Sequence, residues 1–132
     1  MTAVDTNVLI RLLTADDRKQ VAAARALFSG DPIWLGKTVL LETAWVLRSL
    51  YGFDEVAVQS ALLKLLGLSN VHVEDQAAVA DALALTTHGI EFADALHLTS
   101  RPPGASFVSF DRSFVRRAKR AGVSAVLNLA VG

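Results

Sequence analysis

Cysteine is absent from this 132-residue chain, which excludes disulfide bonds, thiolate catalysis and zinc sites built on cysteine. Lys and Arg together number 13, as do Asp and Glu, so the chain has no net charge and no overall positive field of the kind that general DNA-binding proteins carry. No apolar run approaches the roughly 18 residues of a membrane span, and the first residues lack the pattern of a signal peptide. We therefore expect a cytoplasmic protein without membrane association.

The residues that are present favour a folded chain. Apolar residues make up 52% of the sequence and charged residues 20%, a balance that supports a hydrophobic core and excludes a disordered chain. No linker, repeat or low-complexity segment interrupts the sequence, so we predict a single domain over residues 1–132. The mean hydropathy of +0.40 is high for a small soluble chain. Apolar surface that the domain cannot bury predicts an interface, and we expect a homodimer.

Short apolar runs alternate with amphipathic stretches, and this alternation predicts the secondary structure. Strands are predicted over 2–4, 33–35, 71–73, 107–110 and 124–126. Helices are predicted over 18–28, 39–50, 55–66, 76–87, 91–100 and 112–120, with N-caps at Asp16 or Asp17, at Thr38 and at Asp75. The order of strands and helices predicts an α/β fold of three layers, α/β/α, with a central parallel sheet flanked by helices in the manner of Rossmann-like folds.

Four acidic residues stand out because they interrupt or end apolar segments: Asp5, Glu42, Asp94 and Asp111. Asp5 and Asp111 each follow a predicted strand, and ligands of open α/β sheets bind beyond the carboxyl ends of the strands. Burying an unpaired carboxylate costs several kcal/mol, so acids in apolar surroundings indicate a shared cation. Mg²⁺ is the natural candidate because it prefers carboxylate oxygens and water.

Each of these acids also has a structural explanation when it is taken alone. Asp5 and Asp111 could cap the helices that follow them. Glu42 could lie on a solvated helix face, although no basic residue lies three or four positions away. Asp94 and His97 could form a surface pair, or His97 could be a metal ligand, and we favour His97 as a supporting polar residue.

The segments that carry the four acids resemble the PIN domain, and most closely the VapC toxins of bacterial type II toxin–antitoxin pairs. The segments are V-D-T-N-V-L-I-R, V-L-L-E-T-A-W-V-L-R-S-L-Y-G-F, F-A-D-A-L-H-L and S-F-D-R-S-F. They occur in the right order, and the resemblance extends over nearly the whole chain. The resemblance implies a PIN-like fold and a Mg²⁺-dependent endoribonuclease, with Mn²⁺ as a substitute metal. It also implies a VapB-like antitoxin as the partner and RNA as the substrate.

The same resemblance assigns roles to single residues. Asp5, Glu42, Asp94 and Asp111 become the catalytic acids, of which we expect Asp5 and Asp94 to bind the metal directly and the other two to act through water.

The resemblance also identifies supporting residues and two departures from the family. Thr6 and Asn7 of the opening motif would support Asp5. Glu91 stands where relatives often carry an Asp, and it is a supporting acid here. Ser113 stands where some relatives place a further acid, which leaves the four acids intact.

A basic run over residues 112–120 follows the last acid. Arg112, Arg116 and Arg117 are the predicted RNA contacts, and a solvated helix face is the alternative. Two other functions compete with the nuclease. An aspartate-nucleophile phosphatase would explain an Asp at a strand end, but such enzymes usually carry a second Asp where this chain has Asn7. A catalytically inactive PIN-like module that binds a protein or RNA is the other alternative.

Overall fold

The computed structural model describes residues 1–131, and the chain divides into two compact units, which are described separately. The first unit is Met1–Gln76. It contains, in order, β1 (Thr2–Ala3), α1 (Thr6–Thr14), α2 (Arg18–Phe28), β2 (Ile33–Leu35), α3 (Lys37–Ser49), α4 (Glu55–Leu66) and β3 (Val71–Val73). The second unit begins at Ala77. It contains, in order, α5 (Gln76–Thr86), α6 (Phe92–Thr99), β4 (Phe107–Ser109), α7 (Arg112–Arg120) and β5 (Val126–Asn128). Only the first residue of α5, Gln76, belongs to the first unit.

A three-stranded parallel sheet organises the first unit. Its strand order is β1-β2-β3, and Ile33 of the central strand pairs with Thr2 on one side and Val71 on the other. Parallel neighbours cannot be joined by a tight turn, so two helices connect each strand to the next. Ile33 and Leu35 are fully buried, and the apolar faces of the helices supply the rest of this core, including Leu9, Leu40, Leu47 and Leu62.

The second unit is built around one strand–helix–strand element. β4 and β5 pair in parallel with Val108 opposite Leu127, and α7 connects them. Phe114 of α7 lies edge-on against Phe107 of β4, with their ring centroids 5.7 Å apart. Val126 is buried as well, so the helix is fixed on the two strands by its apolar face. Among residues 1–131, no helix combines the length and the apolar character that crossing a bilayer requires.

The α/β class and the parallel pairing of the strands are confirmed. Helices α2, α4 and α7 and strands β2 and β3 have the predicted bounds. Asp17 is the N-cap of α2, as expected, and accepts a hydrogen bond from the Gln20 N–H at 3.1 Å. No bounds were predicted for α1, although a cap at Asp5 presupposes a helix there.

The predicted N-cap of α3 at Thr38 is wrong. The helix starts at Lys37 after Gly36, which has no side chain to accept a hydrogen bond. Instead the Glu74 carboxylate, which follows β3, accepts the Lys37 N–H at 2.9 Å. An orphan N–H of the first turn is therefore satisfied from a distant segment, which local sequence cannot reveal. The backbone of Gly36 also packs closely, because an added Cβ would lie 3.2 Å from the Trp34 ring, which would have to shift slightly.

The last strand begins two residues later than predicted. Ala125 has φ 57°, in the left-handed region that strands do not use. The Arg101 guanidinium holds the backbone in this turn by donating to the carbonyl of Ser124 at 2.7 Å and to that of Ala125 at 3.2 Å. The pairing with β4 therefore starts at Val126.

Candidate active site

In the first unit, Thr6 connects the segments that carry two of the four acids. Asp5 comes two residues after β1 and is the N-cap of α1, where its Oδ1 accepts the Val8 N–H at 3.2 Å. The Thr6 hydroxyl, in a side chain that is buried, donates a hydrogen bond to Glu42 Oε1. Thr6, predicted as a support for Asp5, thus orients the Glu42 carboxylate. Asn7 is exposed and lines a groove between α1 and α2.

The position of Glu42 depends on how α3 is held. Glu42 is the sixth residue of α3, and the start of this helix is fixed by Glu74 through the Lys37 N–H. The Lys37 ammonium also lies 3.0 Å from the Asp75 carboxylate. Glu74 was not among the predicted site residues, although it carries the same signal as Asp5, because it directly follows a predicted parallel strand.

In the second unit, three acids share one electrostatic environment. Asp94 is the third residue of α6, and Asp111 is the N-cap of α7, where its Oδ1 accepts the Phe114 N–H at 3.0 Å. Partial burial raises the pKa of Asp94, and the negative charges of Glu91 and Asp111 raise it further, while His97 opposes them. Asp94 therefore lies in a negative field that would be relieved by a bound cation.

The expectation that all four acids lie in apolar surroundings is wrong for three of them. Asp5, Glu42 and Asp111 are exposed, and only Asp94 is partly buried. Glu42 interrupts an apolar segment because it belongs to the outer face of α3, which also carries Trp45 at 63% exposure. The capping alternative describes the geometry of Asp5 and Asp111 correctly. Each cap uses Oδ1, so a carboxylate that caps a helix still has a second oxygen to offer a cation.

The carboxylate oxygens of these acids suit a hard cation that keeps bound water. Within residues 1–131, no group of three or more Asp, Glu or His side chains is gathered closely enough to hold a metal by itself. Mg²⁺ does not need such a cage, because it keeps several waters and takes one or two carboxylates. Asp94, whose pKa is raised by burial and by the charges of Glu91 and Asp111, carries carboxylate oxygens of the type that such a cation prefers.

The predicted RNA-binding arginines separate into two groups. Arg117 donates to the carbonyl of Gly89 at 2.9 Å and so helps to hold the second unit together. Arg112 and Arg116 instead line an open depression of about 340 Å³ on α7, together with Lys119 and Asn128. Asn128 was missed because it lies in the next strand and only the fold places it beside the helix.

The comparison with protein families identifies one family. The model of the PIN domain matches residues 2–120, about nine tenths of the chain. No curated protein matches the chain. Since the match extends over most of the sequence and includes all four acids, the chain belongs to the PIN domain family.

Proposed function

We propose that this protein is a Mg²⁺-dependent endoribonuclease and the toxin of a type II toxin–antitoxin pair of the VapC kind. The PIN family is generally a family of nucleases, and its members typically depend on divalent metal ions. The observation that carries the proposal is the environment of Asp94, a partly buried acid whose pKa is raised by its burial and by neighbouring carboxylates. We assign the reaction to Asp5, Glu42, Asp94 and Asp111.

The chemistry of phosphodiester hydrolysis fits these residues. A bound divalent cation supplies an activated water and neutralises the charge that develops on the phosphate. Asp5 and Asp94 are the proposed direct ligands. Glu42, oriented by the Thr6 hydroxyl, and Asp111, oriented by its helix cap, have oxygens that can accept hydrogen bonds from water. Glu91 adds negative charge beside Asp94 and strengthens the attraction for the cation.

RNA cleavage tests the proposal directly. Purified protein with Mg²⁺ is expected to cut a labelled RNA at internal positions, and Mn²⁺ is expected to replace Mg²⁺. The aspartate-nucleophile alternative predicts a covalent phosphoryl adduct on Asp5, which mass spectrometry with a phosphate analogue would detect. Intact RNA together with such an adduct would establish that alternative, and intact RNA without an adduct would favour the inactive module.

Exposed apolar side chains support the proposed partners. Trp45, Leu50, Val56 and Leu63 of the segment from α3 to α4 are each at least half exposed. We assign this surface to a homodimer. The groove between α1 and α2, of about 240 Å³ and lined by Val8 and other apolar side chains, suits an apolar segment of a VapB-like antitoxin. Light scattering at micromolar concentration should give twice the chain mass, and a monomer that no co-encoded small protein binds would contradict both assignments.

A further inference from the structure

We propose that the depression on α7 and β5 binds the sugar–phosphate backbone of single-stranded RNA beside Asp111, an inference that rests on the proposed function. Five side chains line the depression: Arg112, Val115, Arg116, Lys119 and Asn128. Three are cations, one is an amide and none is acidic. This lining matches a polyanion with hydrogen-bonding oxygens, because the phosphate backbone supplies most of the affinity of proteins for nucleic acids.

The cations are aligned by the helix. Arg112, Arg116 and Lys119 are spaced four and three residues apart, so they lie on one face of α7. At a rise of 1.5 Å per residue they extend over about 10 Å along the helix axis. The opposite face is buried through Phe114 and Ala118, which fixes the direction in which the cations point. The depression is therefore a short track and not a single anion site.

The fold makes no use of these three cations. Within residues 1–131, Arg112, Arg116 and Lys119 have no ion pair and no hydrogen bond from their side chains. Arg101 and Arg117 of the same unit are different, because both donate to backbone carbonyls.

The charge pattern distinguishes the track from an ordinary solvated face. Opposite charges three or four residues apart stabilise a solvated helix face, whereas like charges four apart destabilise it. Arg112 and Arg116 form such a like-charge pair. A bound phosphate would remove this repulsion, so the arrangement that is unfavourable for the helix alone is favourable for a polyanion.

The location of the track connects it to the acids. α7 begins directly after Asp111, and Arg112 is its first residue. An RNA strand that is bound along the helix would therefore place one phosphodiester near Asp111. The next phosphates of the strand would lie along the track. The track of about 10 Å has the length of about three nucleotides at the roughly 3.4 Å per nucleotide of one strand in a duplex. Double-stranded-RNA-binding domains span about 16 base pairs and contact two successive minor grooves, a footprint much longer than the track.

The test measures binding separately from cleavage. In the Asp94→Asn background with EDTA, the affinity for a labelled single-stranded RNA is measured by fluorescence anisotropy at several salt concentrations. The double variant Arg116→Gln, Lys119→Gln is expected to bind at least about tenfold more weakly at low salt. The slope of log K against log salt is expected to become shallower by about 1.4, since each lost phosphate contact accounts for about 0.7.

The double variant Arg18→Gln, Lys19→Gln is the matched control, because it removes the same number of positive charges. Arg18 and Lys19 are exposed at the start of α2 and lie outside the lining of the depression. The control should change the affinity less than twofold, and the far-UV circular dichroism of both double variants should match that of the parent protein. If Arg116→Gln, Lys119→Gln binds RNA as well as the control does, the track is wrong even where the wild type cleaves RNA.

Two further results separate the track from the proposed function. If the wild type does not cleave RNA but binding depends on Arg116 and Lys119 as described, the proposed endoribonuclease fails and the binding site stands. If duplex RNA competes as strongly as the single strand and loses the same affinity in the double variant, the assignment to single-stranded RNA is overturned.

Discussion

Asp94→Asn will lower RNA cleavage by at least about a hundredfold and will at the same time make the metal-free protein more stable at neutral pH. The loss of activity follows because the cation contributes several kcal/mol to the stabilisation of the transition state, and each 1.36 kcal/mol is a factor of ten in rate. The gain in stability follows because the ionised Asp94 is partly buried and faces the charges of Glu91 and Asp111. An amide of the same shape removes that repulsion.

The gain should depend on pH in a defined direction. Since the pKa of Asp94 is raised in the folded state, the folded protein binds this proton more tightly than the unfolded chain does. Below about pH 3.9, the ordinary pKa of Asp, the Asp94 side chain is protonated in both states and costs no stability. As the pH rises above this value and through the raised pKa of the folded state, ionised Asp94 increasingly destabilises the fold. The difference between Asp94→Asn and wild type is expected to be small at low pH and largest near neutrality.

Thermal melts in EDTA between pH 3 and pH 7 measure this difference. Asp81→Asn is the control, because Asp81 is an exposed acid of α5 in the same unit and its replacement should stay within about 0.5 kcal/mol of wild type at every pH. A variant of Asp94 that is less stable than wild type at pH 7 would show that this carboxylate stabilises the fold, and its assignment to the active site would lose its main support.

The sequence predicted the secondary structure well where local signals determine it. The bounds of α2, α4 and α7 were predictable because an Asp precedes each helix and accepts a hydrogen bond from its first turn. The starts of α3 and β5 were not predictable, because they depend on contacts with distant residues. Glu74 fixes the first and Arg101 the second, and both act on backbone groups far away in the sequence.

The positions of the acids are predictable from the sequence, whereas their burial is not. An Asp after a strand or in the first turn of a helix is visible in the sequence, and it is the rule that identified Asp5 and Asp111. Apolar neighbours in the sequence do not show that an acid is buried, because on a helix the residues beside Glu42 in sequence point to other faces. The Thr6–Glu42 hydrogen bond joins residues 36 positions apart, and no local pattern predicts such a contact.

A measurement of metal binding distinguishes an acid that binds the metal from one that only caps a helix. Asp5 needs this test most, because its carboxylate caps α1. Mg²⁺ at a hundred times its Kd should stabilise the wild type by about 2.7 kcal/mol, which raises Tm by roughly 8 °C or more in a chain of this size. Asp5→Asn should leave the metal-free Tm nearly unchanged, because Asn caps a helix about as well as Asp. The same change should remove most of the shift that Mg²⁺ produces, and EDTA should abolish cleavage by the wild type.

Asp54→Asn supplies the matched control for this measurement. Asp54 caps α4 by accepting the Ala57 N–H at 2.8 Å, in the same manner as Asp5 caps α1, but it is not one of the four acids. This variant should keep both its metal-free stability and the full shift with Mg²⁺. If Asp5→Asn also keeps the full shift, Asp5 is a cap and not a ligand. Cleavage that continues unchanged in EDTA would go further, because none of the four carboxylates would then be acting through a metal.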